Sequence, residues 1–195
     1  MNNAAEISPQ SCSTVLSSVE YSSLSGAEQE QIMHLQQALL ESVARGGEAA
    51  TMVNQICKLA EQSLPNSVGT VMLVDKSTVL LNVYAAPSVP PEGVVHLNGL
   101  QPGPGAGSCG NAVFHKAPQF IENTFTDPRW ENMRQIAHNF NIRACWSMPI
   151  FSTQGNVLGS FALSSFEHRS PSNFHRKLLE IGASTIGLIL DRKIA

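Results

Sequence analysis

Gly103-Pro-Gly-Ala-Gly-Ser-Cys-Gly110 and, further along, Arg143-Ala-Cys-Trp-Ser-Met-Pro-Ile150 decide the reading of this chain. The first stretch is dense in glycine, which permits positive φ and leaves backbone N–H groups open at the start of a helix, a place suited to a polar ligand edge. The second reads as an apolar strand whose alternation sets Ala144, Trp146 and Met148 on one face and Cys145, Ser147 and Pro149 on the other. A glycine-rich helix entry set against such a strand predicts a pocket lined by one of the two sets.

Downstream of the strand, Thr153-Gln-Gly155 reads as a turn between strands at Ile142–Phe151 and Val157–Ser164. Ser170-Pro171 then starts a helix over 172–193, with Phe174, Leu178, Ile181, Thr185 and Leu188 at alternating spacings of four and three. Between the two opening stretches, a short helix starts near Ser108 and a strand runs from Gln119 to Glu122. Asp127-Pro128 supplies an N-cap and first position for a further helix to about Asn139.

Upstream, the prolines at 87, 90, 91, 102 and 104 predict that residues 85–107 hold no regular element for long and cross the surface as a loop of the kind that covers a site. Val68–Val74 and Val79–Tyr84 are strand-like runs joined across Asp75-Lys-Ser77 as a hairpin. Met52, Val53, Ile56, Leu59 and Ala60 mark a helix that stops before Leu64-Pro65. Ile32, Leu35, Leu39 and Val43 mark another in 27–46, ended by Gly46-Gly47. Residues 1–26, rich in Ser and without apolar period, read as a disordered leader.

With 195 residues, 43% hydrophobic and 14% charged, the chain can bury one core and carry flanking segments. A net charge of -3 gives no electrostatic footprint for nucleic acid or for an anionic membrane. Cys12, Cys57, Cys109 and Cys145 follow no zinc or disulfide spacing, which fits a reducing, cytoplasmic setting. No window nears the roughly 20 apolar residues of a membrane span. The histidines form no metal-binding cluster.

Asp127-Pro-Arg-Trp130 and Gly155-Asn-Val-Leu-Gly-Ser-Phe-Ala-Leu163, taken with the two opening stretches, form an order of motifs. That order resembles the GAF domain of bacterial multi-domain signalling proteins, over Gly47 to Lys193 within a 47–193 domain. The resemblance implies an α/β (α+β) fold with a central antiparallel sheet of about six strands, helices on its faces, and the N- and C-terminal helices packed together. It implies a small-ligand pocket between the sheet and the 85–107 loop. The binding candidates are Ser108, Cys109, Gly110, Trp130, Arg143, Cys145, Trp146, Ser147 and Phe161. Trp146 is placed either against the ligand, stacking on it, or in the core as a large apolar residue. Arg129 and Arg143 are placed either at the pocket rim, facing an acidic ligand, or in pairs with surface carboxylates such as Glu131 and Glu122.

The function implied is sensory rather than catalytic. The ligand would order the covering loop and bias the last helix, which ends without a Gly or Pro stop and is expected to continue toward an output domain. Outputs of this family include diguanylate cyclases (GGDEF), cyclic di-GMP phosphodiesterases (EAL) and histidine kinases. None of their motifs occurs here, and cyclic di-GMP turnover is the expected output. Haem would call on His115 or His138, and a bilin on a Cys-His pair that the chain lacks, so neither pigment is indicated. The Asn-Lys-x-x-x-Phe-x-x-x-Asp-Glu pattern of cyclic-nucleotide binders is also missing.

Two other roles fit the same residues. The first and last helices can associate into a homodimer bundle through Ile32, Leu35 and Leu39 with Ile181, Leu188 and Ile189, making a dimerisation module with no ligand. Gly107-Ser-Cys-Gly110 also resembles the cysteine turn of free methionine-R-sulfoxide reductases. In that reading Cys109 is the catalytic thiol and Cys145 the resolving one, although the acidic residues of that family are absent around Ser147 and Ser164-Ser165.

Overall fold

Five strands form one antiparallel sheet in the order β2-β1-β5-β4-β3. They are β1 Ser67–Val74, β2 Leu81–Ala85, β3 Gln119–Ile121, β4 Ala144–Phe151 and β5 Val157–Ser165. The computed structural model describes residues 23–191. The sheet thus has five strands where about six were expected, and its α+β class is as read. Placing β5 between β1 and β4 makes the two strands nearest the ends of the domain hydrogen-bonded neighbours.

Three helices cover one face: α1 Gly26–Arg45, α2 Ala49–Ser63 and, last in the chain, α6 Asn173–Asp191. α1 starts on a capping box, in which Ser25 Oγ accepts from the Glu28 amide and the Glu28 carboxylate accepts from the Ser25 amide. Leu24 is buried, so the stretch expected to be leader is already fixed from Ser25, while the rest of that expectation, residues 1–22, lies outside the described residues. Ile32 and Leu39 of α1, Val53 and Ile56 of α2, and Leu179 and Ile186 of α6 share one core with Trp146, Phe161 and Leu163 of the sheet. The N- and C-terminal helices therefore pack together.

The hairpin turn is set by Asp75, whose carboxylate accepts from the amides of Ser77 and Thr78 and from the Ser77 hydroxyl. These bonds hold its pKa at about 2. Val79, expected in the strand, instead lies at φ 63 in this turn, and β2 begins at Leu81.

The opposite face carries α3 Pro91–Leu97, α4 Gly107–His115, a 3-10 helix Pro128–Met133 and α5 Arg134–Asn139. α3 is a short helix inside the 85–107 segment, which was expected to hold no regular element for long. Pro90-Pro91 open this helix, because a proline at the first helical position lacks only an N–H that would be unpaired there. The single helix expected after Asp127-Pro128 is a 3-10 turn followed by α5, with Asp127 capping as expected through the Arg129 amide. A second, smaller core of Ile121, Trp130, Met133, Ala137, Cys145 and Ala162 lies on this side.

Candidate functional site

Alternation sorts the central strands by size. On the α4 side stand Cys145 and Ser147 of β4, paired in register with Ser164 and Ala162 of β5, and Thr70 and Val68 of β1 lie opposite Ala162 and Ser164 in turn. On the other side stand Trp146, Phe161 and Leu163. Small residues on one face leave room that the bulky residues of the other face fill from behind.

That room is a cavity of about 150 Å³. Its floor is Thr70 and Met72 of β1, Cys145 of β4, and Ala162 and Ser164 of β5. Val89, Pro90, Gly93 and Leu97 cover it from the α3 side. Met133, Ile136 and Phe140 close the flank, and Ala106 to Cys109 form the wall at the start of α4. A cavity of this size, lined by apolar atoms, matches an aromatic ring in volume.

The α4 entry is held by a relay of side-chain hydrogen bonds. Trp130 Nε1 donates to Ser108 Oγ at 3.0 Å, and Ser108 Oγ donates to the Cys145 carbonyl at 2.9 Å. These bonds tie the 3-10 helix, α4 and β4 together at one corner of the cavity. Asn111 adds a second tie, its amide donating to the carbonyls of Pro104 and Gly107. Gly107 sits at φ 65, a backbone conformation that favours glycine, and packs against Trp130 and Met133. No side chain caps α4, which leaves its first amides beside the cavity wall.

Both cavity thiols are held in the neutral form. Burial pushes Cys145 up to about 12, with the neighbouring Cys109 adding to the shift. Burial also raises Cys109, against the opposing effect of hydrogen bonds from Ser160 and Ser147. Those two hydroxyls are buried and have no other partner among the described residues.

The structure brings together Ser108, Cys109, Trp130 and Cys145 of the residues expected from sequence. It does not bring the others to the cavity. Trp146 is fully buried on the far face, its ring centroid 5.2 Å from that of His175, so it cannot stack on a molecule in the cavity. Phe161 faces the same way, against Gly182 of α6. Gly110 packs on Ala106 beneath the loop, and Ser147 lies under Cys109. Arg143 is exposed and donates to Asn141. Arg129 pairs with the Asp127 carboxylate at 2.7 Å, rather than with Glu131 or Glu122, and donates to the amide oxygen of Gln119. His115 and His138 are exposed, the latter stacked on Phe125.

Sequence reasoning missed the floor residues Thr70, Met72, Ala162 and Ser164 and the α3 cover. The size alternation of β5, small at Ser160, Ala162 and Ser164 and large at Phe161 and Leu163, is the signal that marks the concave face.

A family model described as the GAF domain matches residues 47–191. The chain is similar to the methyl sulfide methyltransferase-associated sensor of Methanosarcina acetivorans, at 30% identity over 164 residues. That match spans 84% of this chain and 16% of the length of the sensor. Among solved structures, it resembles the GAF domain of a phosphoenolpyruvate-protein phosphotransferase from Coxiella burnetii, with a TM-score of 0.73 at 14% identity, covering 87% of this chain and 97% of that one. It also resembles the reduced form of fRMsr from Staphylococcus aureus, with a TM-score of 0.65 at 15% identity, covering 82% and 94%. These structural likenesses are likenesses of fold.

Proposed function

This chain belongs to the GAF family, and we propose that it is the cytoplasmic ligand-sensing domain of a larger signalling protein, regulatory and without catalysis of its own. The cavity between the small-residue face of the sheet and the α3–α4 cover carries this reading. The same sheet meets α6 on its other face through Trp146 and Phe161. A ligand that settles Cys145 and Ala162 therefore acts one residue away from the side chains on which α6 rests. The similarity to a piece of a much longer sensor supports the same reading. The output proposed is cyclic di-GMP turnover, supported by the kinds of multi-domain protein that the sequence motifs resemble.

Native mass spectrometry of gently purified protein tests the ligand. A constant excess mass that disappears on denaturation, and is lost when Ala162→Phe fills the cavity, supports it. Protein with no excess mass, and no response to a metabolite extract, contradicts it. The output is tested by fusing the chain to a diguanylate cyclase catalytic domain, whose product level should change with ligand in the parent and stay constant in Ala162→Phe.

A homodimer through the terminal helices is proposed alongside, because Leu40 of α1 and Leu188 of α6 are 70% and 54% exposed and line one groove between the two helices. Leu35, named from sequence as a dimer contact, is half-buried against the chain's own core. Leu40→Glu and Leu188→Glu should convert a sedimenting dimer to monomer without loss of helical signal; an unchanged dimer contradicts this interface.

The reductase reading fits less well. It needs a thiolate, and both cavity thiols are pushed toward the neutral form.

A further inference from the structure

We infer that the ligand of this cavity is a small uncharged molecule with an apolar body no larger than about one aromatic ring. The inference rests on the reading of the cavity as a ligand site. It follows from which side chains line the wall and where the nearby charges are directed.

No residue lining the cavity is ionic at neutral pH: the wall is aliphatic, aromatic and thioether side chains interrupted by three hydroxyls and two thiols. The arginines nearest in sequence to the lining residues direct hydrogen bonds elsewhere, although the Nε of Arg134 is buried without a partner among the described residues. Arg129 is paired with Asp127, Arg134 donates to the Asp127 carbonyl, and Arg143 donates to Asn141. A carboxylate or phosphate entering here loses its hydration and meets no ionic counter-charge, only the first amides of α4, and a cation meets no carboxylate. Ligands that carry a charge are thereby selected against, which disfavours phosphate esters, carboxylates and zwitterions.

The hydroxyls narrow the class further. Ser108 is spent between Trp130 and the Cys145 carbonyl, and Ser164 donates to Cys145 Sγ at 3.4 Å. Thr70, 4% exposed on the floor, makes no side-chain hydrogen bond among the described residues. The molecule is therefore apolar over most of its surface, with at most one polar group placed to meet Thr70.

Isothermal titration with matched probes tests this class: toluene, benzyl alcohol and dimethyl sulfide against benzoate and pyruvate. The neutral probes should bind the parent protein at least tenfold more tightly than the anions. Binding should be lost in Ala162→Phe, and Thr70→Val should weaken benzyl alcohol while leaving toluene unchanged. If Ala162→Phe is unfolded, Ala162→Leu gives the same comparison with a smaller insertion. Benzoate or pyruvate binding as tightly as the neutral probes, and lost in the filled variant, overturns the ligand class and leaves the sensor reading intact. Failure of all five probes to bind overturns the ligand class, and the sensor reading falls with it only if a metabolite extract also leaves no bound mass.

Discussion

Cys145 and Trp146 are consecutive residues of β4, yet the thiol of one lines the cavity while the indole of the other is sealed in the helical core beside His175. The two tryptophans consequently have different jobs. Trp130 shapes the cavity and holds Ser108 by its indole N–H, whereas Trp146 fills the interface with α6. Trp146→Ala should cost about 3–5 kcal/mol in urea unfolding, as deletion of a buried aromatic does. Trp146→Phe should retain probe binding, because it leaves the cavity face untouched. Trp130→Phe should weaken probe binding at a cost of about 1–2 kcal/mol in stability.

His175 makes stability depend on pH. Its Nδ1 accepts from the Ser172 amide while Ser172 Oγ accepts from the His175 amide, an exchange that caps α6 and requires the neutral ring. Burial first, and the charge of Arg169 second, lower its pKa from the usual imidazole value of 6.5. A base whose native pKa is lowered is protonated more readily when unfolded, so its contribution is complete above about 6.5 and is lost as pH falls toward the native value. The urea midpoint should therefore decline from pH 7.5 to 5, and His175→Gln should flatten the decline. An equal slope in both proteins would assign the dependence to other groups.

Neutral thiols predict slow chemistry. At pH 7.5 a thiol near pKa 12 is ionised to roughly one part in ten thousand or less. Cys145 should react with iodoacetamide orders of magnitude more slowly than free cysteine, as should Cys57, which burial also raises to about 12. Cys109 should be slow as well, and slower still with a probe in the cavity that it lines. Labelling of Cys109 faster than free cysteine would instead favour the reductase reading.

Two glycines let α6 approach the sheet. A methyl group at Gly182 would lie 2.6 Å from the Phe161 ring, and one at Gly187 would overlap the Phe151 carbonyl. Gly182→Ala and Gly187→Ala should each lose about 1–3 kcal/mol by overpacking, despite the better helix propensity of alanine. Gly26→Ala, in open space at the start of α1, is the control and should be near neutral.

The element order was legible because each element carries its own local signal. Ser25 and Glu28, the Asp75 turn, the Asp127 cap and the helical spacing of α6 all act within a few residues. The α3 helix was hidden because five prolines argue for irregular chain when counted together, and only the position of Pro91 at the helix start reverses that argument. Trp146 was left open between ligand and core for a different reason. A strand buried on both faces gives two apolar sets without saying which is concave, and the large residue invited the ligand. The contrast in size between Trp146 and its neighbours Cys145 and Ser147, repeated at Phe161 against Ser160 and Ala162, points the other way. Thr70 and Met72 could not be assigned to the site before β1 was known to lie beside β5, a pairing that no local pattern specifies.

The most direct test is an amide-resolved NMR titration of the labelled protein with benzyl alcohol. The account predicts shifts centred on Thr70, Ser108, Cys145 and Ala162, with smaller shifts reaching α6 through Trp146 and Phe161. Shifts confined to the α1–α6 groove, or no shifts at concentrations that saturate comparable apolar cavities, would contradict it.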